Sequence, residues 1–195
     1  SHHEIAAIIT EPIMCNNGCI VPNEGFLQGL RDLCDAYNIA LIFDEVITGF
    51  RIGLKGAQSY FDVTPDISIF AKAIGSGYPI SAIVGKKEWM EEISSARVIH
   101  AGTMNTANPT VAAAMATVSV LEREDPYDKM FELGDQLRVG LKELAKKTGH
   151  NMVVSGIGPI IHTGFSNGDD LKDFRDVLKL DKAKLGQFIS GLHDD

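Results

Sequence analysis

The sequence predicts an α/β fold with a mostly parallel sheet and crossover helices, and three observations support this. Short apolar runs of strand length occur at 5–10, 40–43 and 67–70, each too short to form a whole helix. Between the first two runs, apolar residues recur with a helical period over 26–37, which predicts an amphipathic crossover helix. A strand, a helix of this length and a second strand indicate a parallel pair with a right-handed connection.

An ionisable residue follows each predicted strand. Glu11 follows the first strand, Asp44 the second, and Lys72 comes shortly after the third. Open α/β sheets bind ligands at the carboxyl ends of their strands, so these three side chains form a candidate site. For Glu11 the alternative is a carboxylate that anchors a loop.

The combination of Asp44 and Lys72 suits the chemistry of pyridoxal phosphate. A partly desolvated lysine amine condenses with a carbonyl, and a carboxylate keeps a cationic ring nitrogen protonated. The alternative is that the two side chains form a structural ion pair at the rim of the sheet. We interpret the Gly-Ser-Gly at 75–77 as a turn rather than a phosphate cradle, because no helix N-terminus follows it closely.

The remainder of the chain predicts further elements. Residues 49–66 have no period and are expected to form a long loop. Apolar spacing and turn residues then predict, in order, a strand at 80–84, helices at 87–93, 109–122 and from 126 to Gly149, a strand pair at 152–154 and 160–165, and a helix from 174 to 185 and on to the end. A boundary near Asp125-Pro126 divides the chain into a larger domain, 1–122, and a smaller α+β domain, 123–195.

Composition and charge exclude several kinds of partner. The chain has 195 residues, of which 45% are hydrophobic and 23% charged, as is ordinary for a soluble globular protein. Its net charge of -8 argues against nucleic acid or an anionic membrane surface as the partner. No apolar run approaches the roughly 18 residues of a membrane-spanning helix, and no signal-peptide pattern opens the chain, so the expected location is the cytoplasm, with an organelle matrix as the alternative.

Three cysteines occur, an odd number that fits a reducing compartment. Cys15 and Cys19 have the spacing of half a metal site, but no second pair of cysteines or histidines follows at zinc spacing. We therefore expect no metal.

Five phrases of the sequence, taken in order, resemble class-III aminotransferases, the fold-type-I pyridoxal phosphate family that includes glutamate-1-semialdehyde aminomutases. The phrases are TEP at 10–12, DEVITGFR at 44–51, TPDI at 64–67, FAKAIGSGYP at 70–79 and GTMNTANP at 102–109. The resemblance covers nearly the whole chain, but the chain covers less than half of such an enzyme. We expect a fragment that lacks the family's upstream phosphate-binding turn and ring-stacking aromatic residue, and the end of its small domain.

The resemblance implies a fold and a set of site residues. The chain would be part of the large domain of a fold-type-I transferase followed by part of its small domain. Lys72 would be the Schiff-base amine and proton shuttle, and Asp44 the partner of the pyridine nitrogen of pyridoxal 5'-phosphate. Val46 would pack under the ring, Thr103 would bind the phosphate across a dimer interface, and Glu11 would lie near the cofactor.

The activity that the resemblance implies is transfer of an amino group between an amino compound and a keto acid or aldehyde, in a homodimer with shared active sites. Many family members carry Gln where this chain has Ile47, and the aminomutases carry an apolar residue there. Phe70-Ala71 before the lysine differs from the Leu-Gly of a typical aminomutase. We predict an aminotransferase close to the aminomutase branch. The alternatives are an aminomutase, and an inactive fragment or non-enzymatic domain.

Overall fold

The computed structural model describes residues 4–166 and 170–193 and divides into two compact units. The first unit contains the residues up to Pro12 together with Pro22–Tyr127. The second contains Ile13–Val21 together with the residues from Asp128 onward. The division into domains after residue 122 stays a prediction.

A four-stranded sheet forms the centre of the first unit. Its strands are β1 (Ala7–Thr10), β2 (Ala40–Asp44), β3 (Ile67–Phe70) and β4 (Ala82–Gly85), in that spatial order. The pairs β1–β2 and β2–β3 are parallel, and β3–β4 is antiparallel. The predicted mostly parallel sheet is confirmed. The last strand runs in the opposite direction because the short connection from β3 to β4 contains no crossover helix.

The predicted crossover helix is α1, Phe26–Tyr37, which joins β1 to β2. It buries Leu27 and Cys34 against Leu41 and Phe43 of β2, and both β2 side chains are fully buried. This contact between one face of the helix and one face of the sheet is the hydrophobic core of the unit. The free energy of burying these side chains fixes the strand and its carboxyl end in place.

The expectation that 49–66 has no regular structure is wrong, because a short helix, α2, spans Gly56–Tyr60. The first turn of a helix has backbone N–H groups without partners inside the helix. Here the carboxylate of Glu45 accepts hydrogen bonds from the N–H groups of Ala57 and Gln58, at 2.5 and 3.1 Å. The capping group therefore comes from a residue outside the segment, so the local pattern of the segment does not indicate the helix.

Two longer helices complete the description of the first unit and lead into the second. The helix predicted at 87–93 is confirmed as α3, Lys87–Ser94, and the helix at 109–122 as α4, Asn108–Glu124. Pro109 lies in the first turn of α4, where its missing N–H is not needed. The next helix, α5, spans Tyr127–Lys147.

In the second unit, α5 is followed by an antiparallel pair, β5 (Met152–Ile157) and β6 (Ile160–Phe165), which confirms the predicted strand pair. A continuous helix over 174–185 is wrong. The segment forms α6 (Phe174–Val177) and, after a break, α7 (Lys182–Gly191). Asp181 causes the new start, because its side chain accepts a hydrogen bond from the N–H of Lys184 at 2.9 Å, as an N-cap does.

No helix within 4–166 and 170–193 is long and apolar enough to cross a membrane. In the same ranges, no group of three or more histidine, cysteine or acidic side chains is placed to hold a metal ion. No disulfide joins any two of the three cysteines, Cys15, Cys19 and Cys34.

Candidate active site

The carboxyl ends of β1, β2 and β3 lie side by side at one edge of the sheet. Thr10 pairs with Phe43, and Asp44 pairs with Ile69. Glu11 follows Thr10 directly, and Lys72 follows the last residue of β3 after one intervening position. The fold therefore brings Glu11, Asp44 and Lys72 to the same edge, where α/β sheets bind ligands.

Asp44 is half-buried at the end of β2. One oxygen of its carboxylate accepts a hydrogen bond from the backbone N–H of Val46 at 3.0 Å, which is an Asx-type turn. No cationic group of the described residues pairs with this carboxylate. A partly buried negative charge that the surrounding residues do not neutralise is suited to a ligand that brings a positive charge.

Lys72 has an exposed side chain and starts a short 3-10 turn, Lys72–Gly75. Its φ of 49° is left-handed, a conformation that costs about 1 kcal/mol or more for a residue other than glycine. No ion pair joins Lys72 to Asp44 in the structure. Among the residues that the structure describes, the amine of Lys72 has no hydrogen-bond partner.

The other predicted site residues lie in two places. Val46 is half-buried in the turn directly after β2, two positions beyond Asp44. Thr103 lies in the exposed connection between α3 and α4. No hydrogen bond joins Thr103 to Glu11, Asp44 or Lys72. The structure thus places four of the five predicted residues at one edge, and Thr103 on a separate exposed loop.

Glu45 is an important residue that the sequence reasoning missed. Its side chain is fully buried and accepts hydrogen bonds from the hydroxyl of Thr48 at 3.0 Å and from the N–H of Ala57 at 2.5 Å. Gln58 donates two more, from its backbone at 3.1 Å and its side chain at 3.2 Å. Burial raises the pKa of Glu45, and these hydrogen bonds from Ala57, Gln58 and Thr48 oppose the increase.

A signal for Glu45 was present in the sequence. Successive residues of a strand point to opposite faces. Leu41 and Phe43 are buried, so Glu45 continues their face while Asp44 points the other way. The alternation of β2 therefore assigns the two adjacent acids to different environments.

Small residues shape the turn after β2. A Cβ on Gly49 would overlap the ring of Phe70, and a Cβ on Gly56, whose φ is 73°, would overlap the carboxylate of Glu45. Arg51 donates a hydrogen bond to the carbonyl of Ile47 at 2.6 Å and closes the turn from the outside. The turn that follows Asp44 is thus held from both sides.

The opposite edge of the sheet has a structural acid. Asp66, directly before β3, accepts hydrogen bonds from Arg31 at 2.9 Å, from Lys86 at 2.6 Å and from the N–H of Leu41 at 2.7 Å. Burial acts to raise the pKa of Asp66, but Lys86, Leu41 and Arg31 together outweigh it, so that the pKa is lowered. Asp66 thus joins α1, β2 and the residue after β4 to the start of β3.

The edge with Asp44 and Lys72 fits pyridoxal phosphate. Within the described ranges, 4–166 and 170–193, the carboxylate of Asp44 has no cation and the amine of Lys72 has no hydrogen-bond partner. They stand at neighbouring strand ends, where the cofactor would bring a ring nitrogen and an aldehyde. The order of strands and crossover helix, with this pair of groups at the carboxyl edge, defines the class: an α/β domain of the fold-type-I pyridoxal phosphate transferases.

The chain belongs to the class-III aminotransferase family, whose statistical model matches residues 1–193. Members of this family use pyridoxal phosphate as their cofactor. The resemblance drawn from the five sequence phrases is thereby confirmed.

Three relatives show what the chain is similar to. A glutamate-1-semialdehyde 2,1-aminomutase from Natronomonas pharaonis is 44% identical over 168 residues, which are 85% of this chain and 38% of that protein. The crystal structure of an omega-transaminase from Sphaerobacter thermophilus has 34% identity and a TM-score of 0.81, over 88% of this chain and 39% of that one. The structure of a glutamate-1-semialdehyde aminomutase from Pseudomonas aeruginosa, in complex with PMP, has 28% identity and a TM-score of 0.78, over 90% of this chain and 41% of that one. The chain thus spans about two fifths of the length of these relatives.

Proposed function

We propose that this chain supplies the lysine and the ring-nitrogen partner of a pyridoxal-phosphate-dependent aminotransferase, which moves an amino group between an amino compound and a keto acid or aldehyde. The observation that carries the proposal is the placement of Asp44 and Lys72 at neighbouring parallel strand ends with no ion pair between them. In a structural ion pair, the amine of Lys72 and the carboxylate of Asp44 would contact each other. These two groups instead remain available to a ligand.

Each group at the edge has a role that its chemistry supports. Bound pyridoxal phosphate supplies an aldehyde and a ring that withdraws electrons from the substrate. The amine of Lys72 would hold the cofactor covalently and would move a proton at the substrate α-carbon. The carboxylate of Asp44 holds a proton on the ring nitrogen, and the N–H of Val46 orients that carboxylate. The side chain of Val46 would pack under the ring, and Glu11, one strand away, would lie near the cofactor.

Thr103 acts in a second copy of the chain under this proposal. The connection that contains it is exposed, and its neighbours Ile99 and Met104 are 87% and 74% exposed, which is unusual for large apolar side chains. A homodimer would cover them and present Thr103 to the phosphate of the cofactor in the partner subunit. In a twofold dimer the same loop completes both sites.

A second candidate is glutamate-1-semialdehyde 2,1-aminomutase, in which the amino group moves within one molecule. Two of the three relatives carry this name, and one of them is 44% identical to the chain. Ile47, which cannot hydrogen-bond through its side chain, also favours this branch. The omega-transaminase from Sphaerobacter thermophilus, at 34% identity, favours the first candidate.

The experiment that separates them uses the native full-length protein, loaded with pyridoxal phosphate and given a panel of amines and glutamate-1-semialdehyde. An aminotransferase turns over only when a keto acid or aldehyde acceptor is present. An aminomutase converts glutamate-1-semialdehyde without an acceptor. Absence of any visible absorption or borohydride-trappable adduct with pyridoxal phosphate would reject both and support a non-enzymatic domain or an inactive fragment.

We also propose small-molecule amino donors and carbonyl acceptors as partners, besides the second subunit. The net charge of -8 supports this, since it disfavours nucleic acid and anionic membranes. The odd number of cysteines fits a reducing compartment, and we propose the cytoplasm.

A further inference from the structure

Glu45 is a buried acid that the proposed chemistry does not use. It lies directly after Asp44, has no exposed surface and has no cationic partner among the described residues. Hydrogen bonds from Thr48, Ala57 and Gln58 compensate its charge. A buried carboxylate costs stability unless it is well satisfied, so its position calls for a physical reason.

The contacts of Glu45 extend from β2 to β3. Its backbone N–H donates to the carbonyl of Ile69 at 2.9 Å, which continues the β2–β3 ladder beyond Asp44. The side-chain amide of Gln58 donates to the carboxylate of Glu45 and lies 3.2 Å from the hydroxyl of Ser68 on β3. Glu45 therefore ties together the strand that ends at Asp44 and the strand that precedes Lys72.

The surrounding chain packs closely around the carboxylate of Glu45. The φ of 73° at Gly56 and the overlap that a Cβ there would make with Glu45 show that the backbone of 56–58 closes directly over the acid. Thr48, also fully buried, donates from the turn that follows Asp44. The carboxylate thus fixes the turn after β2 and the start of α2 at the same point.

We propose that Glu45 is the positioning residue of the site: it holds the carboxylate of Asp44 in register with Lys72 by anchoring the β2 turn to α2 and β3. This inference rests on the proposed function. Glu45 faces away from Asp44 and touches no reacting atom, so it acts through the backbone it fixes. Misplacing a reacting group by about 1 Å is enough to lower a rate by about 100-fold.

The test uses Glu45→Gln in the native full-length protein loaded with nitrogen-15-labelled pyridoxal phosphate. Glutamine keeps the shape but points an amide N–H₂ at N–H donors, so the turn shifts. We expect the proton affinity of the ring nitrogen, followed by NMR across pH, to fall about tenfold, and kcat to fall by about 10- to 100-fold with a much smaller change in KM. Gln58→Met removes only the bridge to Ser68, and we expect a smaller change in the same direction.

Asp66→Asn is the matched control, because Asp66 is also a buried, multiply hydrogen-bonded acid but lies at the opposite edge. It should lower stability and leave the ring-nitrogen titration unchanged. If Glu45→Gln also lowers stability but leaves the ring-nitrogen titration unchanged, as expected for Asp66→Asn, the inference is overturned. If Glu45→Gln does not fold, an unchanged titration and kcat in Gln58→Met overturn it. If wild type itself shows no covalent cofactor, the proposed function fails instead.

Discussion

Asp66 offers a sharp test of how the sheet is held together. In the structure, one oxygen of its carboxylate accepts from Arg31 and from the N–H of Leu41, at 2.9 and 2.7 Å, and the other accepts from Lys86 at 2.6 Å. Asp66→Asn can keep its carbonyl oxygen toward Arg31 and Leu41 and turn its amide toward Lys86. Lys86 is 41% exposed and can move into water.

The expected costs follow from these contacts. In Asp66→Asn the two retained hydrogen bonds go to a neutral amide oxygen instead of a charged carboxylate and weaken by about 1 kcal/mol each, so the free energy of unfolding should fall by about 2 kcal/mol. In Asp66→Ala the N–H of Leu41 loses its partner, and Arg31 keeps the exposed Asp35 and a long hydrogen bond of 3.5 Å to the carbonyl of Thr64, so the loss should be about 4 kcal/mol. Urea unfolding of the native full-length protein at neutral pH measures both values.

The pH dependence gives an independent check. The partners of Asp66 lower its pKa below the ordinary 3.8, so its contribution to stability is present above that value and is lost as pH falls through the pKa of the folded state. The difference between wild type and Asp66→Asn should therefore shrink in strong acid. Equal losses for Asn and Ala, or a difference that does not depend on pH, would refute the reasoning.

Three further predictions concern the site. Asp44→Asn should lower turnover by orders of magnitude and affect cofactor retention much less, because the ring nitrogen loses its charged partner while other contacts remain; near-normal turnover would assign this role to another group. Burial raises the pKa of Glu45, so the free energy of unfolding of the wild type should fall as pH rises above about 4.5. Glu45→Gln should not show this pH-dependent fall, and identical urea-unfolding profiles of the two proteins across pH would contradict the prediction. Mixed dimers of Lys72→Ala and Thr103→Ala subunits should be more active than either mutant alone, since the intact lysine site is completed by the intact threonine of its partner; verified subunit exchange without recovery of activity would reject the role in trans.

The parts of the fold that were predictable are those encoded by local patterns. The sequence pattern of each segment indicates which of its residues are buried. This holds for the apolar runs before Glu11, Asp44 and Lys72 and for the helical period of α1, so the parallel sheet and its charged edge could be inferred. The strand pair β5–β6 was equally visible. In each case the residues that form the element also contain the signal.

The parts that failed depend on groups distant in sequence. The helix α2 forms because Glu45, 11 or more positions earlier, caps its first turn, and no residue within the segment indicates this. The break between α6 and α7 depends on Asp181 acting as an N-cap where the apolar spacing continued without interruption. Glu45 differs from these cases, because strand alternation in β2 does place it on the buried face and Asp44 on the other.

The central claim is that Lys72 binds pyridoxal phosphate covalently, and borohydride reduction tests it most directly. The native full-length protein is loaded with pyridoxal phosphate, reduced, digested and mapped by mass spectrometry. The adduct should lie on Lys72, and Lys72→Ala should have no adduct while its circular dichroism stays unchanged, because the exposed side chain contributes little to stability. An adduct on another lysine, or an adduct that survives in Lys72→Ala, would contradict the account.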